Sequence, residues 1–153
     1  MIRDMKPQDR EPLLAAAVEA FDGVSMDQNI ERRIGVVAGH DWRFRRRRSF
    51  AADLDSAARV LVFERDGAPA GYVTCKVDPA AGIGDIPHLM VAAGGQGAGV
   101  GKALLAAGLD VLRQEGMELA RIDALEQNIR ANRFYPAVGF IEVARKIYYV
   151  KKL

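Results

Sequence analysis

Apolar residues recur at helical spacing over residues 8–21, where Leu13, Leu14, Ala17, Val18 and Phe21 share one face and Gly23 follows as a stop. Residues 27–38 and 41–57 predict two further helices. At Arg59 the period changes. Val60 to Phe63 and Ala70 to Val77 read as two strands joined by a tight turn at Asp66-Gly67. A third strand over 84–91 runs into a glycine-rich stretch. Behind it Leu104, Leu105, Gly108, Val111 and Leu112 line one helical face that ends at Gly116. Residues 119–126 predict a strand, and a short helix from Ile129 is expected to stop near Pro136, because the residue before proline is pushed out of the helical region. Met1–Met5 predicts a first strand and Phe140–Leu153 a last one.

This order predicts a mixed α/β (α+β) fold in one domain, with a central, mainly antiparallel sheet flanked by helices. The length of 153 residues suits a single core without disulfide or metal staples. Half of the residues are apolar and 27% are charged, which argues against disorder. The formal charge of +2 offers no global field for an acidic partner. One cysteine, Cys75, forms no internal disulfide and reads as a core thiol in a reducing compartment. The charged N-terminus has no secretory h-region and no run has the length of a membrane span, so the expectation is a cytoplasmic protein.

The glycine stretch carries the first chemical signal. A strand, then Gly94-Gly95-Gln96-Gly97-Ala98-Gly99-Val100-Gly101, then a helix start is an anion site. The first-turn amides lack intrahelical partners, the helix dipole is positive there, and glycines let backbone approach phosphate closely. The spacing excludes a Walker loop, since Gln96 stands five positions before Gly101 and Ala103 follows Lys102 where a hydroxyl is needed. Every register of G-x-G-x-x-G fails as well.

Gln96-Gly97-Ala98-Gly99-Val100-Gly101 resembles the Q/R-x-x-G-x-G/A signature of the GNAT superfamily of N-acetyltransferases. Asn128, Ala131, Tyr135, Gly139 and Phe140 fall at the spacing of a second block, N-x-x-A-x-x-x-Y-x-x-x-G-F. The resemblance covers residues 60–140. It implies a GNAT-like fold with acetyl-CoA as acyl donor and no metal. The pyrophosphate would be held at Gln96, Gly97, Ala98, Gly99, Val100, Gly101 and Lys102. The pantetheine arm would pair with a strand ending at Leu89, Met90 and Val91. Residues 59–153 would form the sheet core with the donor site, and residues 1–58 the variable acceptor side.

Acyl transfer to an amine needs a bound thioester, a neutral amine, a stabilised oxyanion and a proton for the departing thiolate. The resemblance implies that a backbone amide near Met90 or Val91 serves the oxyanion. It makes Tyr135 the general acid, and a tyrosine packed beside Phe134 and Phe140 is the other reading of that residue. A phenol near pKa 10 and a thiol near 8.5 make this transfer uphill, so the site must lower the phenol or trap the thiol. Asp85 stands where several family members carry a catalytic glutamate. His88 is the second candidate base and water the third. A lysine-like amine is neutral in roughly one molecule in a few thousand at pH 7, an α-amine in roughly one in ten. Asn128 ends or bulges its strand or contacts the cofactor.

Arg43, Arg45, Arg46, Arg47 and Arg48 fall within six positions and repel one another at helical spacing. They read as a solvated helix face, a phosphate clamp, or a contact for an acidic acceptor or nucleic acid. Two rivals to the enzyme follow: a non-catalytic acyl-CoA sensor, and an RNA- or ribosome-associated module. Thirteen residues after Phe140 are short for two strands and a loop, so the last strand is truncated, merged or supplied by a partner, in a monomer or homodimer.

Overall fold

The computed structural model describes residues 1–153, and its elements follow the predicted order. Strand β1 (Ile2–Asp4) leads through a short 3-10 turn into α1 (Arg10–Ala20). Helix α2 (Met26–Ile34) starts where the Ser25 hydroxyl accepts a hydrogen bond from the Asp27 amide at 3.2 Å. It ends at Gly35, whose φ of 92° leaves the helical region, so it is shorter than its periodicity predicts. Helix α3 (Trp42–Ser56) is capped by Asp41, which accepts from the amides of Arg43 (3.0 Å) and Phe44 (3.3 Å).

Strands β2 (Arg59–Arg65) and β3 (Ala68–Asp78) form the predicted hairpin. Asp66 and Gly67 both adopt positive φ (52° and 77°), as a two-residue turn matched to strand twist requires. Strands β4 (Ile83–Asp85) and β5 (Leu89–Val91) both pair with β3, helix α4 is Val100–Gln114, β6 is Leu119–Arg121 and α5 is Ile129–Ala137. The sheet runs β1-β2-β3-β4-β6 with β5 on β3, and only the β4–β6 pair is parallel.

Period-two alternation splits the core between the two faces. Val60, Val62 and Tyr72 point toward α1 and α3, where Leu13, Leu14, Phe50 and Leu54 are buried. Leu61, Val73 and Cys75 point the other way, beneath Leu104, Leu105, Val111 and Leu112 of α4. Two glycines record close approach. A Cβ on Gly71 would lie 2.6 Å from the Met90 carbonyl oxygen, and one on Gly84 would lie 2.5 Å from a Leu112 methyl.

Three elements depart from the periodicity. The strand expected over 84–91 is broken at residues 86–88, where Pro87 supplies no amide to a ladder. The strand expected over 119–126 keeps its pairing only to Arg121. The strand expected over 140–153 does not form, and its chain is extended and exposed. No helix is long and apolar enough to cross a membrane.

Candidate active site

The two central strands diverge. Parallel pairing joins residues 83–85 to 119–121, and the Ile86 amide donates to the Arg121 carbonyl at 2.9 Å. Beyond that bond β5 pairs only with β3, while 122–125 runs on unpaired, so a V-shaped opening separates them. Hydrogen bonding sets which backbone groups face it. The Thr74 amide donates to the His88 carbonyl (3.0 Å) and the Ala92 amide to the Ala70 carbonyl (2.9 Å). Alternation then turns Met90 toward β3 and the amides of Leu89 and Val91 toward the opening.

The glycine loop closes one end of this opening. Gly97 and Gly99 have φ of 82° and 75°, and Gly99 is the N-cap of α4. Ala103 donates back to the Gly99 carbonyl at 3.0 Å, and no side chain caps the turn. The amides of Val100, Gly101 and Lys102 therefore start the helix without intrahelical partners. Val91 packs against the loop from below, with a Cβ on Gly101 reaching 3.5 Å from one of its methyls. Gln96 also lines a cavity of about 440 Å³ with Ala16, Glu19, Ala20 and Ala93, between the end of α1 and the loop. Its side-chain oxygen accepts from Arg130 at 2.7 Å, which ties the loop to α5.

Tyr135 projects from α5 against the rings of Phe134 (5.6 Å) and Phe140 (5.9 Å). Burial, reinforced by the charge of Asp123, pushes its phenol up to about 12. Pro136 lies inside the last turn, and α5 continues one residue beyond it. The Asn128 side chain accepts from the Ala131 amide at 3.2 Å and is the N-cap of this helix.

Asp85 and His88 are separated by the break in the strand. Both Asp85 oxygens accept from Arg121, at 2.6 and 3.0 Å, across the β4–β6 pair. His88 is buried on the α3 side. Its Nε2 lies 3.3 Å from Arg46, and its Nδ1 lies 3.1 Å from Asp53, off the line of a well-formed hydrogen bond. An arginine can only donate, so Nε2 accepts and the proton of the neutral ring belongs on Nδ1. Asp53 also takes Lys76 at 2.7 Å. Burial and the Arg46 guanidinium hold His88 well below the ordinary histidine value, and Asp53 only partly offsets them.

Two arginines of the run are answered by acids of α1 and α2. Arg45 meets Asp27 (3.4 Å) and Arg47 meets Glu11 (2.5 Å). Arg46 turns inward, 5.1 Å from the Phe21 ring centre and 4.3 Å from that of Phe50. Asp123 sits in the unpaired stretch after β6, close enough for its charge to act on both Arg46 and Tyr135. Asp53 and Asp123 were not among the residues singled out from sequence. Neither lies in a motif, and their partners stand on other elements.

The His88 shift has a sign that can be tested. The folded state keeps the ring neutral where the unfolded chain, near pKa 6.5, takes up a proton. Its contribution is complete above pH 6.5 and is lost as pH falls below that value, by up to about 1.4 kcal/mol per pH unit. Urea midpoints should fall between pH 7 and 5, and His88→Gln should flatten that slope. An unchanged slope in the variant assigns the acid sensitivity elsewhere.

The sequence profile described as the acetyltransferase (GNAT) family matches residues 26–140. A mycothiol acetyltransferase of Stackebrandtia nassauensis is 38% identical over 98 residues, covering 61% of this chain and 32% of that protein. One of an Arthrobacter species is 29% identical over 138 residues, covering 87% of this chain and 39% of its own. The chain thus spans about a third of the length of the curated relatives it matches. Among solved structures, a PaiA N-acetyltransferase of Thermoplasma acidophilum in complex with coenzyme A superposes with a TM-score of 0.71. It is 19% identical and is covered to 89%, with 92% of this chain. An aminoglycoside N-acetyltransferase in complex with CoA gives 0.69 at 18% identity, covering all of this chain and 95% of its own.

Proposed function

Because the chain belongs to the acetyltransferase (GNAT) family, we propose that it is an N-acetyltransferase, moving an acetyl group from acetyl-CoA to a primary amine by direct attack. The observation that carries this reading is the opening between β5 and the chain after β6, with an uncapped helix start at one end and Tyr135 on the helix that follows. The phosphates of acetyl-CoA would lie on the amides of Gln96–Lys102. Its pantetheine amides would pair with the outward edge of Leu89–Val91. The Val91 amide, turned into the opening, would polarise the thioester carbonyl. A metal is not invoked.

In this reaction the amine nitrogen bonds to the carbonyl carbon, the tetrahedral oxyanion collapses, and the carbon–sulfur bond breaks. The thiolate takes the Tyr135 proton, and the ammonium formed by attack loses its own. Asp85 is the sequence-derived acceptor of that second proton, and it would have to release Arg121 to act. Asp85→Asn decides this. A loss of about 10²–10⁴-fold, steeper for amines of high pKa, makes Asp85 the base, and a loss under about tenfold gives the step to solvent. The charge of Asp123, which acts on Tyr135, would favour an ammonium there, which suits a basic small-molecule acceptor. The names of the mycothiol acetyltransferases point to acceptors of that size.

The test is thiol release from acetyl-CoA with one panel of small amines and amine-bearing sugars and a second of protein amines. Amine-dependent release is expected, with a KM for acetyl-CoA that rises when Gly99 is replaced by valine, since φ of 75° there disfavours a branched side chain. CoA binding without turnover across both the small-amine and protein-amine panels would favour a sensor instead.

A further inference from the structure

Arg46 is a partly buried guanidinium with no carboxylate in contact. Its Nη2 meets the neutral His88 ring at 3.3 Å, its Nε is buried without a hydrogen-bond partner, and its Nη1 is neither bonded nor fully enclosed. The rings of Phe21 and Phe50 that flank it carry no formal charge. Arg3 and Arg45, which are also largely covered, each meet an acid, Asp9 at 2.7 Å and Asp27 at 3.4 Å. The acids around Arg46 are engaged elsewhere or stand off. Asp27 turns to Arg45 and Asp53 to Lys76, while Asp123 makes no ion pair, and all three act on Arg46 only from a distance. Burying a cation without a counter-charge costs folding free energy, and an anion received there would offset it.

Tyr72 is a second orphan. Its side chain is fully buried on the α3 side of the sheet, its hydroxyl has no hydrogen-bond partner, and the Arg46 charge acts on it. Both groups are donors without an acceptor, and the complement of two such donors is a carboxylate, with two oxygens that only accept. The place suits an acyl acceptor. His88 just precedes β5 and the glycine loop follows it, so Arg46 stands at the end of the opening away from that loop. Gln127 joins the chain after β6 to Asn29 and Gly23, at 2.8 Å each, so α2 and its lead-in enclose this end. The charge of Asp123 acts on both Arg46 and Tyr135, which favours a ligand bearing a positive group beside its negative one.

We propose that the acceptor is an amino acid, a primary amine that bears a carboxylate, and that Arg46, with Tyr72 beside it, binds this carboxylate while the amine lies toward Tyr135. The proposal names the substrate class of the acetyl-transfer reading and rests on that reading for its chemistry. The amine nitrogen bonds to the acetyl carbon, the carbon–sulfur bond breaks, the thiolate takes a proton, and the carboxylate is unchanged.

Initial rates should be compared between amino acids and the amines that lack only their carboxylate: leucine with isoamylamine, phenylalanine with phenethylamine, γ-aminobutyrate with propylamine. For at least one pair, kcat/KM of the acid should exceed that of the amine by at least about tenfold. Arg46→Met should abolish this ratio and Arg46→Lys should keep part of it, with far-UV circular dichroism checking the fold of both. A guanidinium that only positions His88 would lower acid and amine rates alike and leave the ratio intact. A binding measurement stands apart from turnover. Butyrate titrated into the wild-type protein should shift the Arg46 Nε–H resonance, identified by its absence from Arg46→Lys, and butyramide should not. Amines as good as their acids, a ratio that survives in Arg46→Met, or a resonance indifferent to butyrate would each overturn the carboxylate site. Failure of every acid and amine to release thiol counts instead against acetyl transfer, and the butyrate titration alone then decides the site.

Discussion

Tyr135→Phe should lower kcat by at least about 100-fold and leave CoA affinity within about a factor of three. The substitution removes one oxygen and keeps the ring that packs on Phe134 and Phe140, so stability should change little. The elevated phenol is the point of interest. An acid pushed up to about 12 is a poorer proton donor than free tyrosine, so of the two ways to drive the transfer, lowering the phenol or trapping the thiol, the first is not the one found. The difference has a physical reason. The apolar wall that disfavours phenolate equally disfavours a thiolate released beside it, so both proton affinities rise and their mismatch need not widen. The phenol also stays protonated throughout the working range. The kcat–pH profile should therefore show no basic limb from Tyr135 below about pH 10. Steady-state rates with equilibrium CoA binding on the same preparation separate the outcomes, and a parallel loss of both would make Tyr135 a binding residue only.

Gly71→Ala should cost about 2–3 kcal/mol and reduce kcat/KM by about tenfold or more. The added Cβ would lie 2.6 Å from the Met90 carbonyl oxygen and 3.0 Å from a Leu104 methyl. A side chain could swing away, but a carbonyl in a paired strand cannot. β5 must shift, and it carries the Val91 amide that faces the opening. Gly94→Ala is the control, because a Cβ there meets nothing within 4 Å, and its effect on stability should stay within about 0.5 kcal/mol. Urea unfolding and initial rates on both variants test this. Equal loss in the control would remove the steric argument.

Much of this molecule is legible along the chain. Helices α1 and α4 show their apolar faces at 3.6-residue spacing, the β2–β3 hairpin shows Asp66-Gly67, and the glycine loop excludes nucleotide motifs by spacing alone. What fails to show is set by pairing between distant segments. Residues 122–125 have strand-like composition but lose their ladder because β5 turns away after Pro87. Residues 141–153 have strand-like composition and make no backbone pairing with the sheet. The site divides the same way. The loop and Tyr135 lie in local motifs. The cluster of Arg46, Asp53 and His88 joins α3 to the break between β4 and β5, and no spacing rule links those positions. Asn128 was legible by position, and its observed contact is a cap on α5.

Cys75 is wholly buried beneath α4, its sulfur 3.7 Å from the Gly108 carbonyl, and burial pushes its thiol up to about 11. A chromogenic thiol reagent added to an acetyl-CoA assay therefore sees a protein that is nearly silent while folded. Every colour change in the native range belongs to the released cofactor. When the reagent is carried through a denaturant series, one further equivalent per chain should appear as α4 lifts from β3. The same cuvette then measures turnover and counts unfolded molecules, so a variant that is slow can be told at once from one that is merely falling apart.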